Sequence, residues 1–479
     1  MLGKTLSEKG INFNDLEKEI FEMGCEMARN RLSTVLTVMD KGLAESRDKG
    51  KLRHKGYRAT SLKTLMGEVG YRRAVYEETL ETGEKACIYL LDEVLKLSTF
   101  GKVTTNLAAR IAEAVSVSSF REAASSVSSM TGQNISHGGV WNVIQDLGEK
   151  LAEADEIKSR QAAANEGIGQ KRTEILFEEA DGVWINMQGK DRPKKGRKCE
   201  LKMAVAYDGW EPLSKGRYRL RNKVMVSGFE APKEFQRKKE GAIAAVFNTD
   251  EINIRILNGD GGSWIKGGIT DSDVHFQLDP FHKNREITRK VRNERQREVI
   301  RRLLLEKRIT DLLIYIESIA ELCENETEKK KLSELHSYFS NNKEGLIPYQ
   351  ERGLKLPKPP EGLEYRNLGT MEHQVCDGAA KRMKHQKASW SKEGAGNLGR
   401  MLCIKMCGSL YEKVSSLSRA GLPACYSENI EAVLSAAKAP KKDGKGYSYP
   451  VNGGIPFTNA YLTNGRKAIM KMLGERSFA

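Results

Sequence analysis

Residues 173–185, TEILFEEADGVWI, place Glu178, Glu179 and Asp181 in the middle of a segment that otherwise favours a buried β-strand. The apolar letters ILF open the strand, and it resumes after the acids as GVWI. An ionisable side chain in such a strand is unfavourable in a protein core unless it has a partner. Departures from local design rules concentrate at functional sites. The segment therefore predicts a central strand with a functional acid, for which Asp181 is the candidate and Glu178 and Glu179 are its rivals.

Two further segments break their pattern with an acid. Residues 251–262, EINIRILNGDGG, alternate as a strand and end on Asp260, whose flanking glycines let another backbone approach closely. Residues 371–387 predict a helix in which Glu372 heads an otherwise apolar face. The members of that face are Glu372, Val375, Cys376, Ala379 and Met383. The alternative for Glu372 is a first-turn glutamate that the helix dipole favours. Other candidate acids are Asp271, Asp273 and Asp377.

Isolated acids on separate elements suit phosphoryl transfer with two divalent ions, one at the attacking and one at the leaving oxygen. Hard cations such as Mg²⁺ bind carboxylate oxygens and keep several waters, so a few converging acids suffice. We therefore expect Asp181, Asp260 and Glu372 to be the catalytic residues and the ligands of two Mg²⁺ ions, with Mn²⁺ able to substitute.

The order of predicted elements indicates an α/β fold with a mixed sheet. Strands are expected at 173–185, 201–207, 218–226, 252–256 and 274–278, with helices at 234–247 and 264–268. Three strands, helix, strand, helix, strand is the order of a ribonuclease H-like core, in which the first and fourth strands are neighbours. Helices are expected to follow, with one long basic helix over 281–309 and a helical segment to about residue 342.

The part before this core is predicted to be largely helical and to bind DNA. A helix over 13–45 precedes strands around Gly67 and Gly70. A helix over 119–130, a turn over 131–134 and an N-cap at Ser136 give a helix-turn-helix outline. The second helix would present His137, Trp141 and Asn142 to DNA. An ordinary helical hairpin has the same outline, and only the total charge favours DNA binding.

The predicted domain organisation has six parts. They are an N-terminal region (1–93), a helix-turn-helix-like region (94–165), the core (172–290), a helical insertion (291–365), a core completion with the third acid (366–410), and a C-terminal helical region with a basic tail (411–479).

The net charge of +15, from 79 Lys and Arg against 64 Asp and Glu, indicates an acidic partner, with nucleic acid first. Arg285 and Arg289 on the basic helix, and Lys381 and Arg382 after the third acid, are the candidate DNA contacts; a solvated basic face is the alternative. No apolar run approaches the roughly 20 residues of a membrane span. The first ten residues lack a secretion signal. Eight scattered cysteines do not form a disulfide framework, which suggests the cytoplasm.

Several other chemistries have weaker support. Asp279 and His282, three residues apart, are possible auxiliary metal or phosphate ligands, although a lone histidine after a strand is more often structural. Cys403 and Cys407 have no second ligand pair, so a zinc site is not expected. The absence of a Walker phosphate loop and of a GxSxG elbow argues against an ATPase and a serine hydrolase.

Four motifs in order resemble a known family over nearly the whole chain: EEADGVWI, NGDGGSWI, LDPFHKNREI and GTMEHQVCDGAAKRMKHQKASWSKEGAGNLGRML. The chain is similar to the ISLre-type insertion-sequence transposases of bacteria, long catalogued as an uncharacterised protein family and distantly related to Mutator-type enzymes. The resemblance implies a DDE transposase with a ribonuclease H-like core. By this comparison Asp181, Asp260 and Glu372 are the three catalytic acids, and Asp279 and His282 match an acid-or-cysteine and histidine pattern of related families.

The resulting expectation is an enzyme that binds double-stranded DNA, both element ends and target, as a homo-oligomer of at least two subunits. It would be cytoplasmic, associated with the bacterial nucleoid, and would not contact a membrane. Two alternatives remain open: a metal-dependent nuclease with the same core but no strand transfer, and a non-catalytic DNA-binding protein.

Overall fold

The structure is a computed structural model that describes residues 12–417 except 81–82, 98–99, 168, 268–272, 385–387 and 409. The chain divides into two compact units, Met1–Leu422 and Pro423–Ala479. Asp271, the end of the helix expected over 371–387, and the predicted C-terminal helices and basic tail past Leu417 lie outside the described residues.

The chain begins with one long helix on a small antiparallel sheet. Helix α1 (Phe13–Ser46) packs on a sheet of β1 (Leu52–Thr64), β2 (Gly67–Thr79) and β3 (Lys85–Ile88), in the order β1-β2-β3. The strands predicted around Gly67 and Gly70 are thus confirmed. Gly67, at φ 109°, has the left-handed backbone that the tight β1–β2 turn needs. Buried Asp40 of α1 accepts a hydrogen bond from the Ala74 amide at 2.9 Å, which joins helix and sheet.

Four helices follow: α2 (Leu90–Leu95), α3 (Thr105–Val115), α4 (Phe120–Met130) and α5 (His137–Ala163). Ser119 and Glu122 form a capping box at α4, and the Ser136 hydroxyl accepts from the Gly139 amide at the start of α5. The predicted helix, turn and helix are therefore present. Helix α5 has 27 residues and packs along two helices of the central sheet.

The central feature is a five-stranded mixed sheet. It contains β4 (Ile175–Asn186), β5 (Lys198–Tyr207), β8 (Val224–Gly228), β9 (Ile254–Gly259) and β10 (Val274–Leu278), in the order β10-β9-β4-β5-β8. β4 is the middle strand; it pairs antiparallel with β5 and parallel with β9. The first and fourth strands are therefore neighbours, as predicted. β9 and β10 are also parallel, so three strands end at one edge of the sheet.

The third strand differs from the prediction of one strand over 218–226, which is wrong. A separate hairpin, β6 (Trp210–Ser214) and β7 (Arg217–Leu220), lies before β8. Asn222 has φ 49°, a left-handed conformation that ends β7 before β8 begins.

Six helices contribute to the apolar core on one face of the sheet. They are α6 (Pro232–Ala244), α7 (Ser263–Lys266), α8 (Pro280–Lys290), α9 (Glu294–Leu305), α10 (Ile309–Glu321) and α11 (Glu326–Asn341). The single helix predicted over 281–309 is wrong: the chain leaves helical geometry at Val291, and the Asn293 side chain caps α9 by accepting from the Arg295 amide at 3.0 Å. The helical segment predicted to about residue 342 is confirmed.

The last described helices contain an irregularity. α12 (Met371–Val375) continues through a π-helical turn (Cys376–Ala380) into α13 (Lys381–Met383); α14 (Lys392–Met406) and α15 (Leu410–Leu417) follow. Met371, Gln374 and Val375 are buried along one side of this segment, and Ala379 and Met383 continue that side, whereas Glu372 and Cys376 are exposed. The predicted apolar face is therefore wrong at Cys376.

Two apolar cores lie on opposite faces of the sheet. One contains Phe177, Val183 and Ile185 of β4 together with α3, α5, α12 and α14. The other contains Ala180 of β4 and residues of α8 to α11. Among the described residues, no helix combines the length and the apolar character required to cross a lipid bilayer.

Candidate active site

Asp181 lies on the middle strand of the sheet. Residues 177, 179, 181 and 183 point to one face, because strand side chains alternate. Asp181 is only 9% exposed, and one of its oxygens accepts a hydrogen bond from the Gly182 amide at 2.8 Å. Asp181 is thus a carboxylate inside a buried strand. Among the described contacts, the Gly182 amide is its single hydrogen-bond donor from the protein.

Asp260 lies one residue past the end of β9, beside Asp181. The parallel register pairs Ala180 with Gly259, so the next residue of each strand is an aspartate. The Asp260 carboxylate accepts from the Gly262 amide at 2.8 Å, and Gly261 between them has φ 84°. The hydroxyl of Tyr338 on α11 donates to the Asp260 carbonyl at 2.9 Å, which fixes the backbone of this turn.

His282 reaches the two aspartates from the start of α8. Asp279 caps this helix: its carboxylate accepts from the His282 amide at 3.0 Å and lies 3.1 Å from His282 Nδ1. With its proton on Nδ1, the ring donates a hydrogen bond to Asp279. The unprotonated Nε2 then lies 3.8 Å from the nearer oxygen of Asp181. Asp279 therefore orients the imidazole, and His282 faces the acids.

Asp181, Asp260 and His282 form a compact cluster whose possible ligand atoms lie within 4.8 Å of one another. Within the described part of the chain, this is the only group of three or more His, Cys, Asp or Glu side chains with this geometry. The cluster unites two of the three predicted acids with one predicted auxiliary residue.

Burial and neighbouring charge shift proton affinities in this cluster. Burial raises the pKa of Asp181 to about 6; His282 and the Gly182 amide oppose the shift, while the charges of Asp260 and Glu372 add to it. Burial lowers the pKa of His282, but Asp279 and Asp181 outweigh it and the net shift is upward. The pKa values of Asp181 and His282, which face each other, are therefore both raised.

Glu372 lies near this cluster without being part of its tight group. Its side chain is exposed at the second residue of α12 and is close enough for its charge to raise the pKa of Asp181. The expectation that Glu372 points toward the core layer is wrong, because its side chain is exposed.

The rival acids of β4 have other partners. Glu178 points to the opposite face, where Lys239 and Arg255 each approach one of its oxygens to 2.6 Å. Burial opposes ionisation of Glu178, but the two cations hold its pKa below the usual range. Glu179 lies on the face of Asp181, and five hydrogen-bond donors surround it. Neither glutamate is available to a ligand.

The remaining alternatives lie apart from the cluster. Asp377 pairs with His373 and Lys381 on the surface of the π-helical turn. Asp273 is exposed before β10. Cys403 is buried, and burial raises its pKa to about 12, which disfavours the thiolate that zinc binding needs.

The predicted DNA contacts on the first helices divide into exposed and packed residues. His137 and Asn142 are exposed near the start of α5. Trp141 is half-buried, with its ring centroid 5.1 Å from that of Phe120. This packing explains the tryptophan as part of the α4–α5 corner.

The predicted contacts near the acids divide in the same way. Arg285 and Arg289 are exposed on α8, the helix that contains His282, and Lys381 is exposed beside Asp377. Arg382 is half-buried: Nε donates to the Val115 carbonyl at 2.7 Å, and the guanidinium lies over Trp390. Burial lowers the pKa of Arg382. Arg382 therefore joins α13 to α3, while Arg285 and Arg289 remain accessible.

The sequence interpretation missed Asn258. This fully buried side chain on β9 donates to Glu179 at 3.0 Å and to Asp279 at 2.9 Å. Its place two residues before Asp260, on the same face of an alternating strand, was the available indication.

Comparisons with known proteins identify one family that matches most of the chain. The family model described as "Uncharacterised protein family (UPF0236)" matches residues 6–419. A UPF0236 protein from the vanSb 3′ region of Streptococcus gallolyticus is 23% identical over 409 residues, 83% of each chain. A UPF0236 protein of Caldanaerobacter subterraneus subsp. tengcongensis is 24% identical over 395 residues, 81% of this chain and 77% of its own. Another from that organism, 23% identical over 81% of this chain and 77% of its own, has a name that joins eleven loci.

Proposed function

The chain belongs to the uncharacterised protein family UPF0236, and we propose that it is the DDE transposase of a bacterial insertion sequence. The observation that carries the proposal is the convergence of Asp181, Asp260 and His282 at one edge of the central sheet, with Glu372 beside them. Such an arrangement of acids suits metal-assisted phosphoryl transfer.

The topology of the sheet supports a ribonuclease H-like core. Numbered along the chain, the five strands lie in the order three, two, one, four, five, with the second antiparallel to the first and the fourth and fifth parallel to it. The first acid lies on the first strand and the second acid after the fourth. A fold supports many functions, so the assignment rests on the site as well as the topology.

The donor set fits a divalent cation. Asp181 and Asp260 offer hard carboxylate oxygens from two rigid strands, as Mg²⁺ prefers. The imidazole of His282 suits Mn²⁺ better than Mg²⁺. Burial, with smaller contributions from the charges of Asp260 and Glu372, raises the pKa of Asp181, and a bound cation would favour the ionised form. Asp181, Asp260 and Glu372 would hold two ions, with His282 beside them.

When bound, the ions supply charge neutralisation and activation of the attacking oxygen. The protein residues supply the geometry: β4 and β9 fix the two aspartates, and Asp279 keeps the His282 ring toward Asp181. In the proposed reaction, water attacks the phosphorus at an element end and the bond to the 3′ oxygen breaks, which leaves a 3′-OH. That 3′-OH attacks a target phosphate, forms one phosphodiester bond and releases a target 3′-OH.

The charge distribution supports a DNA substrate. Arg285 and Arg289 are exposed on the helix that contains His282, and His137 and Asn142 are exposed on the second helix of the helix-turn-helix outline. The net charge of +15 adds to this. A relative whose name joins eleven loci of one organism also supports a mobile gene, because transposition multiplies copies.

The proposal is tested with labelled DNA that carries the ends flanking the gene, in Mg²⁺. The intact chain should bind the ends, cleave them and join them to a target plasmid, while Asp181→Ala should bind without cleaving. Cleavage without joining would identify a nuclease instead. Binding that needs no metal and never leads to cleavage would identify a non-catalytic DNA-binding protein. Cleavage retained in Asp181→Ala would exclude this site.

A further inference from the structure

Glu179 is a fully buried carboxylate at the centre of a hydrogen-bond network. One oxygen accepts from the Tyr207 hydroxyl at 2.6 Å and the Thr370 hydroxyl at 2.7 Å. The other accepts from the amides of Gly369 and Met371, at 2.9 and 3.2 Å, and from the Asn258 side chain at 3.0 Å. A buried carboxylate with this many donors is a fixed structural element and not a free ligand.

Three of those donors belong to residues 369–371, directly before Glu372. Helix α12 has five residues, and Thr370 at its N-cap position makes no hydrogen bond to the helix with its side chain. Its first amides need acceptors, which helices usually obtain from their own N-cap residue. Glu179 supplies that acceptor from a strand 190 residues earlier in the chain. The short helix is therefore oriented by β4 and not by its own sequence.

Asn258 extends the network to the other side of the site. Its side-chain nitrogen donates to Glu179 and to Asp279, and Asp279 fixes His282. A single carboxylate thus links β4, β9, the start of α8 and the start of α12. These four elements carry Asp181, Asp260, His282 and Glu372.

We propose that Glu179 is a positioning residue that holds Glu372 beside the Asp181–Asp260 pair and thereby completes the second metal position. The proposal rests on the proposed function for the role of Glu372, but the attachment of 369–371 to β4 is independent of it. Residues that orient metal ligands affect metal affinity by roughly 10- to 100-fold. Glu179 differs from such residues in acting through the backbone before the ligand.

Three variants separate positioning from general stability. Glu179→Ala removes all five acceptor contacts. Glu179→Gln preserves them, because its oxygen can face the three N–H donors while its amide donates to the Tyr207 and Thr370 hydroxyls. Glu178→Gln is the matched control: the residue is adjacent and equally buried, but it contacts Lys239 and Arg255 on the opposite face.

The first measurement is hydrogen exchange of the metal-free full-length chain. The Gly369 and Met371 amides should exchange at least tenfold faster in Glu179→Ala than in the wild type. They should change little in Glu179→Gln and Glu178→Gln. Should Glu179→Ala fail to fold, Thr370→Val removes one donor from the α12 side and should accelerate the same amides. Unchanged exchange of these amides in folded Glu179→Ala or Thr370→Val overturns the proposal.

The second measurement is Mn²⁺ binding by electron paramagnetic resonance, below the unfolding temperature of every variant. Glu179→Ala should weaken the second ion roughly 10- to 100-fold, and Glu179→Gln should restore it to within about threefold of the wild type. The double variant Glu179→Ala/Glu372→Ala should bind Mn²⁺ no more weakly than Glu372→Ala alone, because both changes remove the same ligand, Glu372. Fully additive losses would mean that Glu179 acts only through stability, and would overturn the proposal.

The two proposals fail separately. Faster exchange and weaker Mn²⁺ binding in Glu179→Ala, in a chain whose wild type never cleaves DNA, would sustain positioning and reject the transposase. A wild type that cleaves and joins DNA, with Mn²⁺ binding unchanged in Glu179→Ala, would reject positioning and sustain the transposase.

Discussion

Asp181→Asn should stabilise the metal-free protein at neutral pH. Burial and the charges of Asp260 and Glu372 raise the pKa of Asp181 from 3.8 to about 6. Above pH 6 the Asp181 carboxylate is ionised, and its buried position makes this charge unfavourable in the native state. The difference of about two pKa units corresponds to about 3 kcal/mol, since one unit is about 1.4 kcal/mol. Asparagine keeps the shape and the acceptor for the Gly182 amide without the charge.

The sign follows from proton linkage. The folded pKa lies above the unfolded one, so the contribution of Asp181 is most favourable below pH 3.8 and is lost as the pH rises through about 6. The advantage of Asp181→Asn should therefore be about 3 kcal/mol at pH 7.5 and about 1 kcal/mol at pH 4.5. For a unit of roughly 400 residues, 3 kcal/mol corresponds to about 3–4 °C in the thermal midpoint.

Thermal unfolding in EDTA at both pH values measures this difference. Asp208→Asn is the control of opposite sign, because buried Asp208 pairs with Arg221 at 2.8 Å and its loss should destabilise the protein. Mg²⁺ at ten times its dissociation constant should add about 1.4 kcal/mol to the wild type and little to Asp181→Asn. A variant that is no more stable than the wild type at pH 7.5 would refute the electrostatic account of the site.

Two further predictions concern the same sheet. Glu178→Gln should lower the free energy of unfolding by about 3–5 kcal/mol, because it leaves Lys239 and Arg255 without their buried partner; urea unfolding measures this, and Mn²⁺ affinity should be unchanged. Mn²⁺ affinity of the wild type should fall as the pH drops from 7.5 to 5, because protons compete for Asp181 and His282, whose pKa values are both raised. Calorimetric titration across this range measures it, and a flat profile would contradict it.

Local pattern predicted the features that are themselves local. The strand around Asp181, the Asp260 turn and the caps at Ser119 and Ser136 follow from alternation, glycine and hydroxyl positions within a few residues. The neighbouring placement of β4 and β9 followed from the order of elements. Asp279 and His282 are adjacent because one residue caps the helix that contains the other.

Features that depend on distant contacts could not be predicted in this way. The side of α12 that packs into the core leaves Cys376 exposed, and no local spacing specifies which side this is. Arg382 is of a residue type that commonly contacts DNA, but its guanidinium packs against Val115 and Trp390. The role of Glu179 depends on residues 369–371, which are far away in sequence. Hydrophobic periodicity shows which residues are buried but not which buried polar groups meet.

The most direct test of the three-acid site is a cleavage and strand-transfer assay that compares the intact chain with Glu372→Ala. The DNA carries the labelled ends that flank the gene, and the reaction contains Mg²⁺ or Mn²⁺. Glu372 is the acid outside the tight cluster, so its contribution decides whether the site is complete. Cleavage and joining by the intact chain and their loss in Glu372→Ala, with end binding retained, is the predicted result. A Glu372→Ala protein that still cleaves would contradict the account and place the third ligand elsewhere, with His282 the first residue to examine.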